Sequence, residues 1–275
     1  MILVTGATGN VGRNIVDELL KSGEQVRAIA RDPSTCALPG EVEVLAADLS
    51  RPETLTAALR GVERLYLWPV FGRLQGAVDA IARAGVQHVV MLSSEAVTYA
   101  AEEPHIACEK AVVESGMSWT FLRPSAFMSN DLLWIPQIAK DGVVHGVYGS
   151  SAMAPIHERD IAAVAVKSLL AAESGVIHSI TGPQSLSPQE RVRMIGAALG
   201  IPTRFQEVPR ERVREQMVKY LSGYVADQIL DRRRDTQGEV APVLPTVDVV
   251  TGRPAYTYAE WITHHEAELR PVPQL

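Results

Sequence analysis

MILVTGATGNVG, residues Met1–Gly12, decides the fold. The apolar, β-rich run Ile2, Leu3, Val4 passes straight into Gly6, Gly9 and Gly12, spaced G-x-x-G-x-x-G, and an amphipathic helix follows. In a strand–turn–helix that holds a dinucleotide each glycine has its own reason. One permits the tight turn, one lets backbone approach a pyrophosphate, and one lets the helix lie close on the sheet. Unpaired N–H groups at the helix N-terminus then face the phosphates. Glycines collect in any turn; the strand before and the helix after them make this a dinucleotide motif. Its expected contacts are Gly6, Thr8, Gly9, Asn10, Val11 and Gly12.

Outward from there, strands and helices alternate. A helix is expected from about Asn10 to Ser22, with Val11, Ile15 and Leu19 as its apolar stripe and Gly23 as its stop. Strands are expected at 25–30, 42–46, 64–68, 88–92 and 119–122, with helices at 76–84 and 104–115. Ser50-Arg51-Pro52-Glu53 reads as a capping box opening a helix that Gly61 closes. The alternation predicts an α/β fold, a Rossmann doubly wound parallel sheet with helices on both faces. Ligands of such a sheet lie beyond the carboxyl ends of its strands.

From about Phe127 the pattern loosens. Strands are expected at 143–148 and 176–180, and helices at 159–172, 209–222 and 258–269. Ser187-Pro188-Gln189-Glu190 caps a further helix that Gly200 ends. Residues 1–126 are therefore read as the dinucleotide-binding domain. Residues 127–275 are read mainly as a small substrate-binding C-terminal lobe, with some segments returning to the core.

The 275 residues carry a net charge of −6, which argues against a broad nucleic-acid surface. No apolar run is long enough to span a bilayer, and the chain enters its first strand at Ile2, leaving no room for a signal peptide. Cys36 and Cys108 are too few for a disulfide framework or a metal cluster. A soluble, cytoplasmic protein without metal, membrane or nucleic acid is the expectation, with monomer and dimer both open. Arg232-Arg233-Arg234, flanked by Asp231 and Asp235, reads as a solvated, self-neutralised surface turn rather than a phosphate clamp.

The second strand ends in Arg31. An acidic residue at that position bonds the ribose 2′-OH of NAD, whereas an arginine suits the 2′-phosphate of NADP. NADP (as NADPH) is favoured, and Asp32 keeps NAD open. Asp48 is placed for the adenine edge, although an acidic residue opening a helix would look identical.

Several stretches together resemble the NmrA-like branch of the atypical short-chain dehydrogenases: ILVTGATGNVGR, VRAIARDP, AADLS, HVVMLSS, HIACEKAVVESGMSWTFLRPSAFMSN, PIHERDIAAVA and VTGRPAYTYAEW. The likeness covers nearly the whole chain, and HIACEKAVVESG is similar to bacterial quinone reductases of this group. It implies a Rossmann domain with NAD(P)H across the strand ends and a small C-terminal lobe. It also implies that Trp68-Pro69 lies beside the nicotinamide ribose, that Ser93 and Ser94 face the nicotinamide and substrate, and that Pro124, Ser125 and Phe127 lie on the ring.

Typical short-chain dehydrogenases carry Tyr-x-x-x-Lys on the helix after strand five, and the phenol protonates the carbonyl oxygen as hydride arrives. Here the position four before Lys110 is Ile106, and four before His105 is Ala101. Tyr99 stands eleven residues before Lys110, about three helical turns rather than one, and cannot complete the pair. His105 is thus a candidate proton donor, with Glu109 as its same-face partner or a purely structural role as the alternative. Lys110 is a candidate for ribose or substrate contact. Asn130, Trp134 and Tyr224 are candidates to line an apolar substrate cavity. The expected function is hydride transfer from NADPH to a quinone or (poly)cyclic aromatic ketone without the usual acid. The alternative is a non-catalytic NAD(P)-sensing regulator. Metal-ligand spacings and the nucleophile elbow G-x-S-x-G are both missing from the sequence.

Overall fold

Strands buried on both faces read as continuous apolar runs, and the runs noted above become the centre of the sheet. The computed structural model describes residues 1–101 and 104–270. Its first half comprises β1 (Ile2–Val4), α1 (Asn10–Lys21), β2 (Val26–Ala30), β3 (Glu43–Ala46), β4 (Arg64–Leu67), α2 (Leu74–Arg83), β5 (His88–Leu92), α3 (Pro104–Glu114) and β6 (Ser118–Pro124). There follow α4 (Ile135–Asp141), β7 (Val143–Gly146), α5 (Glu158–Ala171), β8 (Val176–Ile180), α6 (Pro188–Leu199) and β9 (Arg204–Glu207). The chain then runs through α7 (Arg210–Met217), α8 (Gly223–Asp235), α9 (Thr246–Thr251), α10 (Tyr258–His264) and α11 (Glu266–Leu269).

Seven strands pair in parallel in the order β3-β2-β1-β4-β5-β6-β8. The order reverses between β1 and β4, so a crevice opens at their carboxyl ends, where such sheets take ligands. On one face α1 and α5 pack Val11, Ile15 and Leu19 with Ile161, Val164 and Leu169. On the other, α2 and α3 bury Val78, Ile81 and Val112. A third, separate core joins Met128, Ile138, Val144, Val192 and Trp261 in the lobe, beside the small parallel pair β7–β9. Both β8 and α5, which follow residue 127, belong to the main sheet and its helical layer.

Local chemistry explains where sequence and structure agree and part. Ser187 and Glu190 form the expected capping box, and Gly200 ends α6 in the left-handed region at φ 67°. Ser50 does not cap a helix. Its N–H and hydroxyl both donate to Asp48 Oδ1 at 2.8 Å, which spends the cap, and only a single 3₁₀ turn, Pro52–Leu55, follows. The expected helix 258–269 is broken at His265 into α10 and α11. The arginine run is not a surface turn but the last turn of α8.

Candidate active site

The nucleotide end of the site is made by backbone. Gly6 stands at φ 63°, and its carbonyl accepts the Gly9 N–H at 3.0 Å, closing the turn. A Cβ on Gly12 would lie 2.1 Å from the Gly6 oxygen, so Gly12 is demanded by the packing of α1 on the turn. A Cβ on Gly9 would meet that oxygen at 3.3 Å, which a small shift relieves. The fold itself therefore tolerates a side chain at Gly9, and the bareness there serves whatever lies outside. Gly9 caps α1 with no side-chain bond, and the first turn holds no acid. The leading N–H groups of α1, from Asn10, Val11 and Gly12, are thus left for an anion.

A groove of about 630 Å³ runs over this turn, lined by Gly6, Thr8, Arg31, Asp48, Trp68 and Val70. Arg31 is exposed and makes no ion pair among the described residues. Asp32, also at the groove, takes both the hydroxyl and the N–H of Ser34, which hold its carboxyl below the usual range. Asp48 is likewise held down by the Ser50 N–H and hydroxyl. The Trp68 backbone N–H donates to Thr5 Oγ1 at 2.7 Å and the indole stands half-exposed at the rim, whereas Pro69 is buried and does not line the groove, whose wall continues with Val70. An uncapped helix N-terminus, a bare Gly9 and an unpaired Arg31 fit a dinucleotide carrying a further phosphate.

A second cavity of about 380 Å³ opens past the carboxyl ends of β6 and β8. Ser125, Thr98, Tyr99, Thr181, Arg232 and Arg233 line it, and the Ser125 hydroxyl donates to the Ala154 carbonyl. Beneath it, Arg123 grips Glu109 with two bonds, 2.9 Å to Oε1 and 2.6 Å to Oε2, while the Ser93 hydroxyl donates to Oε1 at 2.5 Å. That network corrects the expectation for Glu109, whose two oxygens go to Arg123 and Ser93 rather than to His105. The His105 ring sits edge-on to Phe71, centroids 4.8 Å apart. Ser94 Oγ accepts the Ala96 N–H, ordering the turn after β5. Lys110 lines neither cavity; it is exposed, 3.7 Å from Glu114 one helical turn on. Pro124 is buried at the end of β6, and Phe127 packs against the main core, bridged to Ile156.

The apolar cavity expected around Asn130, Trp134 and Tyr224 is a correction. None of the three lines this space, whose walls combine hydroxyls and guanidinium groups with the apolar side chains of Met153, Ile180, Ile229, Val240 and Leu244. Trp134 lies under the Arg191 guanidinium at 4.9 Å, and Arg191 pairs with buried Asp131 at 2.6 Å. The Tyr258 hydroxyl donates to the same carboxylate. Burial pushes Asp131 up against the opposing pull of Arg191. Sequence reasoning also missed Tyr99 and Arg233. The stripe Val225, Ala226, Ile229, Leu230 at helical spacing continues to Arg233, a signal that this arginine points inward.

One polar cluster ties the lobe to α5. His157 Nδ1 accepts the Arg159 N–H, its Nε2 meets His264 Nδ1 at 3.0 Å, and His265 Nε2 bonds Glu158 Oε1. The ligand atoms of His157, Glu158 and His265 lie within 4.8 Å of one another, but these nitrogens already have partners. Among the described residues, no helix is long and apolar enough to cross a membrane.

Comparison with known proteins agrees with this geometry. Residues 6–172 match the NAD(P)H-binding family. The chain is 37% identical over 98% of its length to the (4-alkanoyl-5-oxo-2,5-dihydrofuran-3-yl)methyl phosphate reductase of Streptomyces griseus, all of which is covered. It is 34% identical to an NAD(P)H azoreductase of Xenophilus azovorans, over 97% of this chain and 98% of that one. The crystal structure of an NADPH-dependent quinone oxidoreductase from Escherichia coli, complexed with NADPH, superposes with a TM-score of 0.79 at 27% identity, covering 96% and 99% of the two chains. The chain belongs to the NAD(P)H-binding, NmrA-like atypical short-chain dehydrogenases, and is an NAD(P)H-dependent reductase of their quinone-reductase-like branch.

Proposed function

We propose that the protein uses NADPH to reduce a cyclic conjugated carbonyl, a quinone or aromatic ketone, without the Tyr-x-x-x-Lys acid. The observation that carries this reading is the pair of cavities at one edge of the sheet. The groove beside Gly6 and Thr8 suits a dinucleotide, and a separate space past β6 and β8 suits an acceptor. When bound, the nicotinamide supplies the hydride; the protein contributes position and electrostatics. The N–H groups of α1 hold the pyrophosphate, Arg31 the 2′-phosphate, and Trp68, Pro124, Ser125 and Phe127 confine the nicotinamide end. Ser93, held by Glu109, and Ser94, held by the turn it caps, would orient the acceptor oxygen. Lys110 and His105 have roles of lower rank, since Lys110 faces solvent. A quinone accepts hydride with little help from a protein acid, which suits a site lacking the phenol four residues before Lys110. The relatives that reduce an oxo-dihydrofuran phosphate and an azo compound share with quinones a conjugated, polarised acceptor.

The test follows NADPH absorbance while the protein meets a panel of quinones, cyclic enones and aromatic ketones, with cofactor affinity titrated in parallel. Acceptor-dependent oxidation is the expected result. Tight NADPH binding with no turnover across the panel would replace the reductase by a cofactor-sensing regulator.

A further inference from the structure

The three arginines at the end of α8 meet three different fates. Arg234 is exposed and neutralised by Asp231 at 3.0 Å and Asp235 at 2.9 Å. The Arg232 guanidinium lies 4.9 Å over the Tyr99 ring. Arg233 forms no hydrogen bond or ion pair among the described residues, yet it is drawn in from solvent to the cavity wall. Desolvating a guanidinium without a counter-charge is expensive. The nearby buried carboxylate, Asp131, is spent on Arg191 and Tyr258. Glu109 is spent on Arg123 in the same way. Glu95 and Glu239 also line the cavity, and neither comes within ion-pair distance of Arg232 or Arg233. Burial pushes the Arg233 pKa down from its ordinary value, and Arg191 adds to that. Both effects mark a cation whose partner is still to come.

Building on the reductase reading, we propose that the acceptor carries a phosphate monoester, and that Arg233, flanked by Arg232, binds it in this cavity. A planar guanidinium matches two phosphate oxygens with parallel hydrogen bonds, and a dianion returns the desolvation cost of the arginine. Helix-dipole compensation is not a sufficient reason for all three arginines. Arg234 already supplies a cation at the C-terminus of α8, outside the cavity. A neutral quinone would leave Arg233 unpaired. The site is therefore a phosphate-anchored one, with the conjugated ring held between Ser125 and the nicotinamide end.

The test uses the full chain with saturating NADP+, which keeps phosphate from the groove at Arg31. Phenyl phosphate should raise Tm by about 5 °C at a hundredfold excess over its Kd. Benzoate and chloride at equal ionic strength should not. Arg233→Gln should abolish the shift, and Arg234→Gln, on the outer side of the same turn, should keep it. In turnover with a neutral quinone, phenyl phosphate should compete with the quinone and not with NADPH. An undiminished shift in Arg233→Gln, an equal shift with benzoate, or competition with NADPH alone would each overturn the proposal. Absence of turnover with every acceptor would count against the reductase reading, while the Tm arm would still decide the phosphate site.

Discussion

The nucleotide groove and the acceptor cavity are built from different material. The groove owes its shape to backbone, in the left-handed Gly6, the bare Gly9, the close contact at Gly12 and the uncapped start of α1. The cavity owes its character to side chains that arrive from six places in the chain: the turn after β5, the end of β6, residues 151–154 beyond β7, the strand end of β8, the end of α8, and residues 239–244. A backbone site is conserved in form whatever surrounds it, whereas a side-chain site can be rewritten by single substitutions. The chain thus sets a groove shaped by backbone beside a cavity shaped by side chains.

The sharpest way to break this contrast is Gly9→Asp. Aspartate is a preferred N-cap, so the substitution should leave Tm unchanged or slightly higher. It also places a carboxylate where the N–H groups of α1 face the pyrophosphate, and NADPH affinity should fall by about 100-fold or more. Titration of NADPH fluorescence and a thermal melt read the two effects separately. Unchanged affinity would remove the groove from cofactor binding. Gly12→Ala should behave oppositely, losing the fold itself, because its methyl group would collide with the Gly6 carbonyl.

In the lobe the corresponding experiment is Asp131→Ala. It leaves Arg191 buried without its partner and strips the Tyr258 hydroxyl of its acceptor. Removing one member of such a pair costs about 3–5 kcal/mol, and denaturant unfolding should show it. A loss below about 1 kcal/mol would mean that packing alone holds the lobe. Asp131→Ala with Arg191→Met should recover much of the loss, since an apolar pair of similar bulk has no charge left to bury.

The same division governs what the sequence disclosed. Gly6, Gly9, Gly12 and the flanking apolar runs are contiguous, and their spacing alone implies strand, turn and helix. Ser187-Pro188-Gln189-Glu190 was legible for the same reason, a local bond between near neighbours. Ser50 misled because its hydroxyl had a nearer acceptor, Asp48, two residues back. Glu109 misled because its partner Arg123 lies across the α3–β6 packing rather than along the helix. The arginine run was read through its neighbours Asp231 and Asp235, which explain Arg234 alone. Arg232 and Arg233 turn toward a cavity whose other walls lie far away in sequence. Long-range side-chain pairings leave no mark in local spacing, and the acceptor site consists largely of them.

At Arg31 the groove depends on the charge of a side chain, so Arg31→Glu sharpens the comparison. With no competing ion pair among the described residues, its guanidinium can grip a 2′-phosphate. The substitution should weaken NADPH by at least about 10-fold and leave NADH nearly unaffected. Separate titrations with the two cofactors measure this. Equal losses would make Arg31 a general surface charge and would remove the basis for preferring NADPH.

The smallest expected effect lies at the seam between the two regions, where His265 meets Glu158. Burial by itself would raise the Glu158 carboxyl, but His157 at 3.3 Å and His265 beside it hold it down at about 2. The hydrogen bond from Glu158 raises His265 above its ordinary value, with burial opposing. The carboxylate's contribution is present above its unfolded pKa near 4.5 and is lost only as pH falls toward about 2. The imidazolium's contribution is full below 6.5 and is lost as pH rises through the raised folded value. The seam is therefore tightest between those two unfolded values and loosens toward alkaline pH. His264, lowered chiefly by burial and also by Arg159 and its histidine neighbours, runs the other way, as do buried His88 and half-buried His178. Comparing the wild type with His265→Gln cancels those opposing groups. Between pH 6 and about pH 8.5 the wild type should lose about 1 kcal/mol more than the variant in denaturant unfolding. Parallel pH profiles for the two proteins would show that the lobe is held to the sheet by α5 packing and not by this charged bond.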